Sequence, residues 1–441
     1  MKISKSCFLL LTIIISTISV NAQRKFSLGE AISAALNQNT SVKKSVNSLE
    51  ATNEGIKAAY GALIPTLGIN GGFDWAHSNY NSKAASNLTG IPNTPAFSGD
   101  SRSWSLSVGG NVTLFDGLSN YANIHSKENT YTSAKYDFEK LKQDVTLQAV
   151  TLYTAIVGNK KLLDFQSEDL KYNQGLLDKI KQMYEIKSIP ITDVFSQEAT
   201  TANSELAYIQ AENNYRKSIV ALLNYLAMDV TGEYTFSFDN DDLKDTTAVP
   251  KEFKDLFATA LANRQDYQSD KYKVKISENQ VTSAWGSVYP LLTGNYGLST
   301  NTSTPGDLFS QKTYSAGLSL NIPIFSQFNT ENSIEFAEVQ LKNSNEDLTA
   351  LERQVRTDVM DAYLDLETAR KQLDVSKTAL ASAKESWEAK KESYTLGVSI
   401  FLDQQLAYNN YLQAEYTLIS KQYGYIISQF TVLSVIGALN K

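Results

Sequence analysis

The side chains able to do chemistry are few. His77 and His125 lie far apart in the chain, and the one cysteine, Cys7, sits beside neither. That set makes neither the three or four clustered ligands of a metal site nor a nucleophile with its base. Carboxylates abound, but they are spread over helix surfaces among Lys and Arg, as solvated faces are. No glycine-rich phosphate loop follows a strand, so nucleotide-driven work belongs to a partner. The sequence therefore predicts no enzyme, cofactor or metal. Two aspartates stand out by position: Asp193 and Asp403 each follow a short turn at the start of a helix. A carboxylate there favours the helix dipole and the unpaired first amides.

Residues 1–22 carry Lys2 and Lys5, then the apolar run "CFLLLTIIISTISV", and read as a cleaved secretory signal peptide that takes Cys7 with it. No other segment approaches the twenty or so apolar residues of a spanning helix. The formal charge of −7, and −9 without the two leader lysines, argues against nucleic acid. Only 8 prolines, with 24 tyrosines, point to long helices joined to something rich in aromatics.

The chain is written twice. From Leu28 to Pro65 the copies are offset by 225, with Gly61 over Gly286 and Pro65 over Pro290; from about Ser107 to Met228 the offset is 210, with Tyr184 over Tyr394 and Asp193 over Asp403. The change falls in the polar loop 78–102, whose counterpart is the shorter 301–312. The expected organisation is a first repeat over 23–228, a linker over 229–250 and a second repeat over 251–441. Each repeat reads helix, strand, loop, strand, very long helix, short turn, helix.

Strands are predicted over about 67–76, 104–115, 291–300 and 313–325. Each alternates apolar with small polar residues, as in Leu67, Ile69, Phe73 and Trp75 against Gly68, Asn70, Gly72 and Asp74. Lengths of about nine to eleven residues with aromatics near the ends match transmembrane barrel strands. Two hairpins of a soluble sandwich would give the same alternation, but the polar face suits a water-filled lumen. Four strands cannot close a barrel, since the smallest membrane barrels have about eight. Open edges in lipid leave backbone groups unpaired, so several chains must share one barrel.

Long helices are predicted over about 118–186 and 327–395, with return helices over about 192–228 and 401–437. Their heptad seams include Val145, Ala149, Ile156 and Ile180 in one copy, and Val355, Val359, Ala362 and Leu373 in the other, until Lys390 interrupts. At 1.5 Å per residue such a helix is about 100 Å long, the scale of a periplasm. Asn159, Gln166 and Asn173 suit a helical wall around water better than a dry core.

The pieces "LNIPIF" (320–325), "AYLDLETAR" (362–370), "ITDV" (191–194) and "SYTLGVSIFLD" (393–403), in this order within a tandem repeat, resemble the TolC family of outer-membrane efflux proteins. The resemblance covers nearly all of the chain after the leader. It implies a mainly α fold with a transmembrane β part: a homotrimer whose chains each give four strands to a 12-stranded β-barrel, continued by a 12-helix α-barrel. It implies an exit duct in the outer membrane, with a long periplasmic part, for a tripartite efflux or type I secretion system. The partners implied are a periplasmic adaptor, an inner-membrane transporter of the RND or ABC type, and outer-membrane lipid. Asp193 and Asp403 match the family's gate aspartates. Tyr184, Lys187, Tyr394, Gly397 and Ser399 occupy the adaptor-contacting tips, and Trp75, Trp104, Phe115, Tyr314 and Phe325 the membrane girdle. Three departures stand out: Ser399 replaces a gate arginine, Leu406 a second aspartate, and Lys187 the first tip glycine. Two other readings compete, a periplasmic helical-hairpin adaptor of the membrane-fusion type and a structural coiled-coil protein.

Overall fold

The computed structural model describes residues 24–80, 97–232, 234–236 and 253–439; the expected signal peptide with Cys7, most of the loop 78–102 and most of the linker 229–250 lie outside the described residues. The chain runs β1 (Arg24–Phe26), α1 (Leu28–Gln38), α2 (Thr40–Gly61), β2 (Gly68–Tyr80), β3 (Phe97–Phe115), α3 (Ser119–Glu185) and α4 (Ile191–Tyr225). There follow β4 (Tyr234–Phe236), α5 (Phe253–Asn263), α6 (Gln265–Gly286), β5 (Leu291–Thr302), β6 (Thr313–Asn321), α7 (Asn329–Thr395) and α8 (Phe401–Val435). Corresponding helices have the same lengths in both halves: 11, 22, 67 and 35 residues.

Several features differ from the sequence expectation. The first helix of each half is two helices, broken at Asn39 and Arg264, where the backbone turns extended at ψ 132° and 122° without any proline or glycine. β2 and β3 reach Tyr80 and Phe97, so the first hairpin is longer than expected, and β6 stops at Asn321 instead of 325. Pro323 explains that stop, because it has no amide proton for the ladder. Within the expected linker, β4 pairs in parallel with β1. The Tyr153 hydroxyl donates to the Phe26 carbonyl at 3.3 Å there, and Phe236 lies against both rings.

The helices end alike. Lys187, Ala227, Gly397 and Gly437 all have positive φ, between 54° and 75°. The Lys187 amide donates to the Tyr184 carbonyl and the Ser188 amide to Met183; Gly397 and Val398 repeat the pair on Tyr394 and Ser393. This pair of hydrogen bonds closes orphan carbonyls of the last turn.

Two compact units are formed, each drawing on both halves of the chain: one from residues up to 39, 148–248 and 369–427, the other from 40–147, 249–368 and 428–441. In the second unit, Leu256 and Ala260 of α5 pack on Val355, Val359 and Ala362 of α7 and Val432 of α8, all at most 5 % exposed. Arg264, beside this core, bonds Asp266 at 2.6 Å and Asp358 at 2.7 Å. Also in this unit, Gly117 packs on Gly286 where β3 gives way to α3, and a Cβ on Gly117 would strike the Gly286 carbonyl. The Ser119 hydroxyl donates to the Ser283 carbonyl at 2.8 Å in the same joint.

Candidate functional site

The sheet has the order β2-β3-β5-β6, antiparallel throughout. Directly opposed residues share a face. One face carries Ile69, Phe73 and Trp75 of β2; Trp104, Val108 and Val112 of β3; Leu292, Tyr296 and Leu298 of β5; and Tyr314, Leu318 and Leu320 of β6. The other holds Asn70, Gly72 and Asp74, then Ser103, Ser105, Ser107 and Asn111, then Thr293, Asn295 and Ser299, then Ser315 and Ser319. A broad apolar face is thus set against a small polar one, with Thr300 and Thr302 as polar positions on the first and Leu291 as an apolar one on the second.

The apolar face is bare in the single chain: Ile69 is 71 % exposed, Leu318 74 % and Tyr314 76 %. In water this face would be a large liability. Of the residues expected at the girdle, Trp104 packs on Phe73 with ring centroids 4.4 Å apart, and Phe325 meets Phe328 at 5.5 Å. A bulge between Thr113 and Phe115 leaves Leu114 unpaired and sets Phe115 opposite Leu292. Beyond Trp75 the face turns polar, with Arg102 opposite Trp75 and the His77 imidazole 2.7 Å from Asp100. His77 thus sits in a strand, and His125 pairs with Glu128 at 3.0 Å. Among the described residues no three His, Cys, Asp or Glu side chains cluster to hold a metal, and no helix is long and apolar enough to cross a membrane.

The helix tips belong to the other unit. Ile180 of α3, Val194 of α4 and Phe401 of α8 form a small core, with Tyr394 of α7 packed against it. Asp193 and Asp403 both stand in the first turn of their helices. Asp403 accepts from Lys390 at 3.3 Å. Burial first, and then the charge of Asp193, raise the Tyr394 phenol above its ordinary value. The residue over Lys390 in the first copy is Ile180, so the two aspartates meet different surroundings. Around the turns Ile186, Leu396, Val398 and Ile400 are exposed, while the Ser399 hydroxyl is buried without a partner. In the sequence Lys390 is visible only as a break in the heptad, and its place one turn before Tyr394 is the signal for its role.

Of the three polar seam residues expected beside water, Asn159 and Gln166 are half-buried and Asn173 is drier than expected. Asn173, 1 % exposed, donates to Asp169 and to Ser204, each at 2.9 Å, and accepts from Gln197 at 3.1 Å. Tyr408 donates to Asp169 at 2.6 Å, and Trp387 stacks on Tyr411 at 4.9 Å. Asn173 therefore faces neighbouring helices, not water: its amide is fully used there, which makes burial tolerable.

A profile of the outer membrane efflux protein family matches residues 31–227 and 256–438. The chain belongs to that family. It is 22 % identical over 418 residues to the outer membrane protein TolC of Escherichia coli strain K12, covering 91 % of this chain and 80 % of that one. Among solved structures, CusC gives a TM-score of 0.80 at 15 % identity over 93 % of this chain and 92 % of its own. The CmeC outer membrane channel of Campylobacter jejuni gives 0.78 at 18 % over 93 % and 86 %. Membership in the outer membrane efflux family places the chain in the outer membrane, and its fold is that of the TolC-like channels. It sets aside the adaptor and the purely structural coiled coil.

Proposed function

We propose that the chain is the outer-membrane exit duct of a tripartite efflux or type I secretion system, conducting passively between a periplasmic pump and the exterior. The observation that carries this is the four-stranded sheet, apolar on one face, Ser, Asn, Thr and Gly on the other, and open at both edges. Such a sheet becomes stable in lipid only as part of a closed barrel with water inside. Three copies would supply twelve strands, and the duplicated chain, 23–228 and 251–441 bridged by 229–250, would supply twelve long and return helices. The girdle is assigned to Trp75, Trp104, Phe115, Tyr314 and Phe325.

The helix turns form the gate, with Asp193 and Asp403 at its narrowest point. Lys390 neutralises Asp403 where the family's arginine is missing at Ser399, so Asp193 bears the larger share of the gate's negative field. The exposed turn residues, with Tyr184, Lys187, Tyr394, Gly397 and Ser399, receive a periplasmic adaptor, and an RND or ABC transporter supplies the energy.

Membrane fractionation should place the protein in the outer membrane as a trimer that resists heat and detergent; a soluble monomer would sink the reading. In planar bilayers, Asp193→Ala with Asp403→Ala should raise conductance and weaken block by multivalent cations. Unchanged currents would remove both residues from the gate.

A further inference from the structure

The two hairpins share one register. Under the offsets that relate the copies, Ile69 opposite Val108 becomes Gly294 opposite Leu318, and Phe73 opposite Trp104 becomes Leu298 opposite Tyr314; both are observed pairs. The copies are thus equivalent strand by strand, not only in sequence. A third seam, β3 on β5, joins the second strand of one copy to the first strand of the next, with Ser105 opposite Asn301, Val108 opposite Leu298 and Asn111 opposite Asn295. Its equivalent would join β6 to β2. Those two strands are the free edges of the sheet, so within one chain the seam is missing.

We propose that β6 of one copy pairs with β2 of a second copy in the register of the internal seam: Ser315 opposite Ala76, Leu318 opposite Phe73, Ser319 opposite Gly72 and Asn321 opposite Asn70. The proposal rests on the barrel reading above and adds to it a residue-by-residue interface.

Two independent features of the sequence agree with this register. Every pair it creates joins like faces: Leu318 meets Phe73 and Ala316 meets Trp75 on the apolar side, while Ser319 meets Gly72 and Ser315 meets Ala76 on the other. A slip of one residue would turn one copy's apolar set into the lumen. The ladder also runs out at the right place. The residue after the Asn321–Asn70 and Ile322–Ile69 pairs is Pro323, which has no amide to donate. In the internal seam the residue matching Pro323 is Thr113, the last one paired before the bulge at Leu114.

A slip of two residues keeps the faces matched, so it is the alternative that experiment must exclude. Directly opposed Cβ atoms lie about 5 Å apart and diagonal ones about 7–8 Å, whereas a disulfide needs about 4 Å. The chain has one cysteine, Cys7, outside the sheet, so introduced pairs report cleanly. The double variants Ser315→Cys with Ala76→Cys, and Asn321→Cys with Asn70→Cys, should crosslink into covalent dimers and trimers under mild oxidant in outer-membrane fractions. Ser315→Cys with Asp74→Cys or Ser78→Cys should leave monomers on denaturing gels. Crosslinking in a slipped pair and not in the matched ones overturns the register while leaving the duct intact. Trimers that crosslink in none of the pairs overturn the β6–β2 seam. A protein that never trimerises, in these variants and unmodified alike, overturns the barrel reading itself.

Discussion

At the scale of single residues, the duplicated chain allows one copy to serve as control for the other. Lys187 and Gly397 close equivalent turns with φ of 58° and 75°, yet only the second is glycine. A side chain in the left-handed region costs about 1 kcal/mol, which glycine avoids. Lys187→Gly should therefore steady the first turn, seen as stronger amide-exchange protection at the end of α3, while Gly397→Ala should weaken the second by a similar amount. No change in either would mean that adjoining contacts hold the turns. The Lys390–Asp403 pair is about two-fifths exposed on each side and contributes little to stability, about 0–1 kcal/mol. Its effect is expected in the field at the gate. Lys390→Met should make block by multivalent cations tighter, and Lys390→Arg should leave it near the original value. Reading these residues from sequence alone was only partly possible. Asp193 and Asp403 were visible because the repeat aligns them and Gly397 because the family resemblance marks a tip glycine there, whereas Lys390 looked like a defect in an apolar stripe until the opposing helix was in place.

At the scale of elements, the long helices were legible because no proline interrupts them: the one expected over about 118–186 runs from Ser119 to Glu185. The breaks at Asn39 and Arg264 were not, since neither carries a proline or glycine and each is imposed by tertiary partners. At the second break Arg264 spans two carboxylates in a site 8 % exposed. Burial would raise the Asp266 carboxyl, but hydrogen bonds and charge from Arg264 outweigh it and hold the group below its ordinary value. A carboxyl depressed in the folded state adds stability above its unfolded pKa of about 3.9, and that stability is lost as pH falls through the folded value. Acid unfolding of the α5–α6 joint should begin below about pH 4, and Asp266→Asn should flatten that pH dependence, read by amide exchange at several pH values. The three-residue strands β1 and β4 had no local signature at all. Their pairing joins segments two hundred residues apart, and only the fold brings them together.

At the scale of the whole molecule, neither compact unit is a contiguous piece of chain. The unit holding the sheet is completed by residues 428–441, with Val432 and Ile436 at most 3 % exposed among Leu256, Val355 and Val359. Ile436→Ala should cost about 2–4 kcal/mol, and removal of 430–439 should deplete the heat-resistant outer-membrane species; normal assembly of the truncated chain would show that this core is dispensable. The duplication itself was readable, because two offsets aligned aromatic and glycine positions over most of the chain. What it could not reveal was how far the copies had grown apart at their joints. Gly117 seats on Gly286 so closely that a Cβ has no room, while its counterpart Gln327 has the same left-handed backbone, φ 55°, and a full side chain. A chain made of two second repeats would collide at that joint. The two repeats are therefore left and right shoes: the first needs a glycine at 117, the second carries a full side chain at 327, and one cannot stand in for the other at this joint.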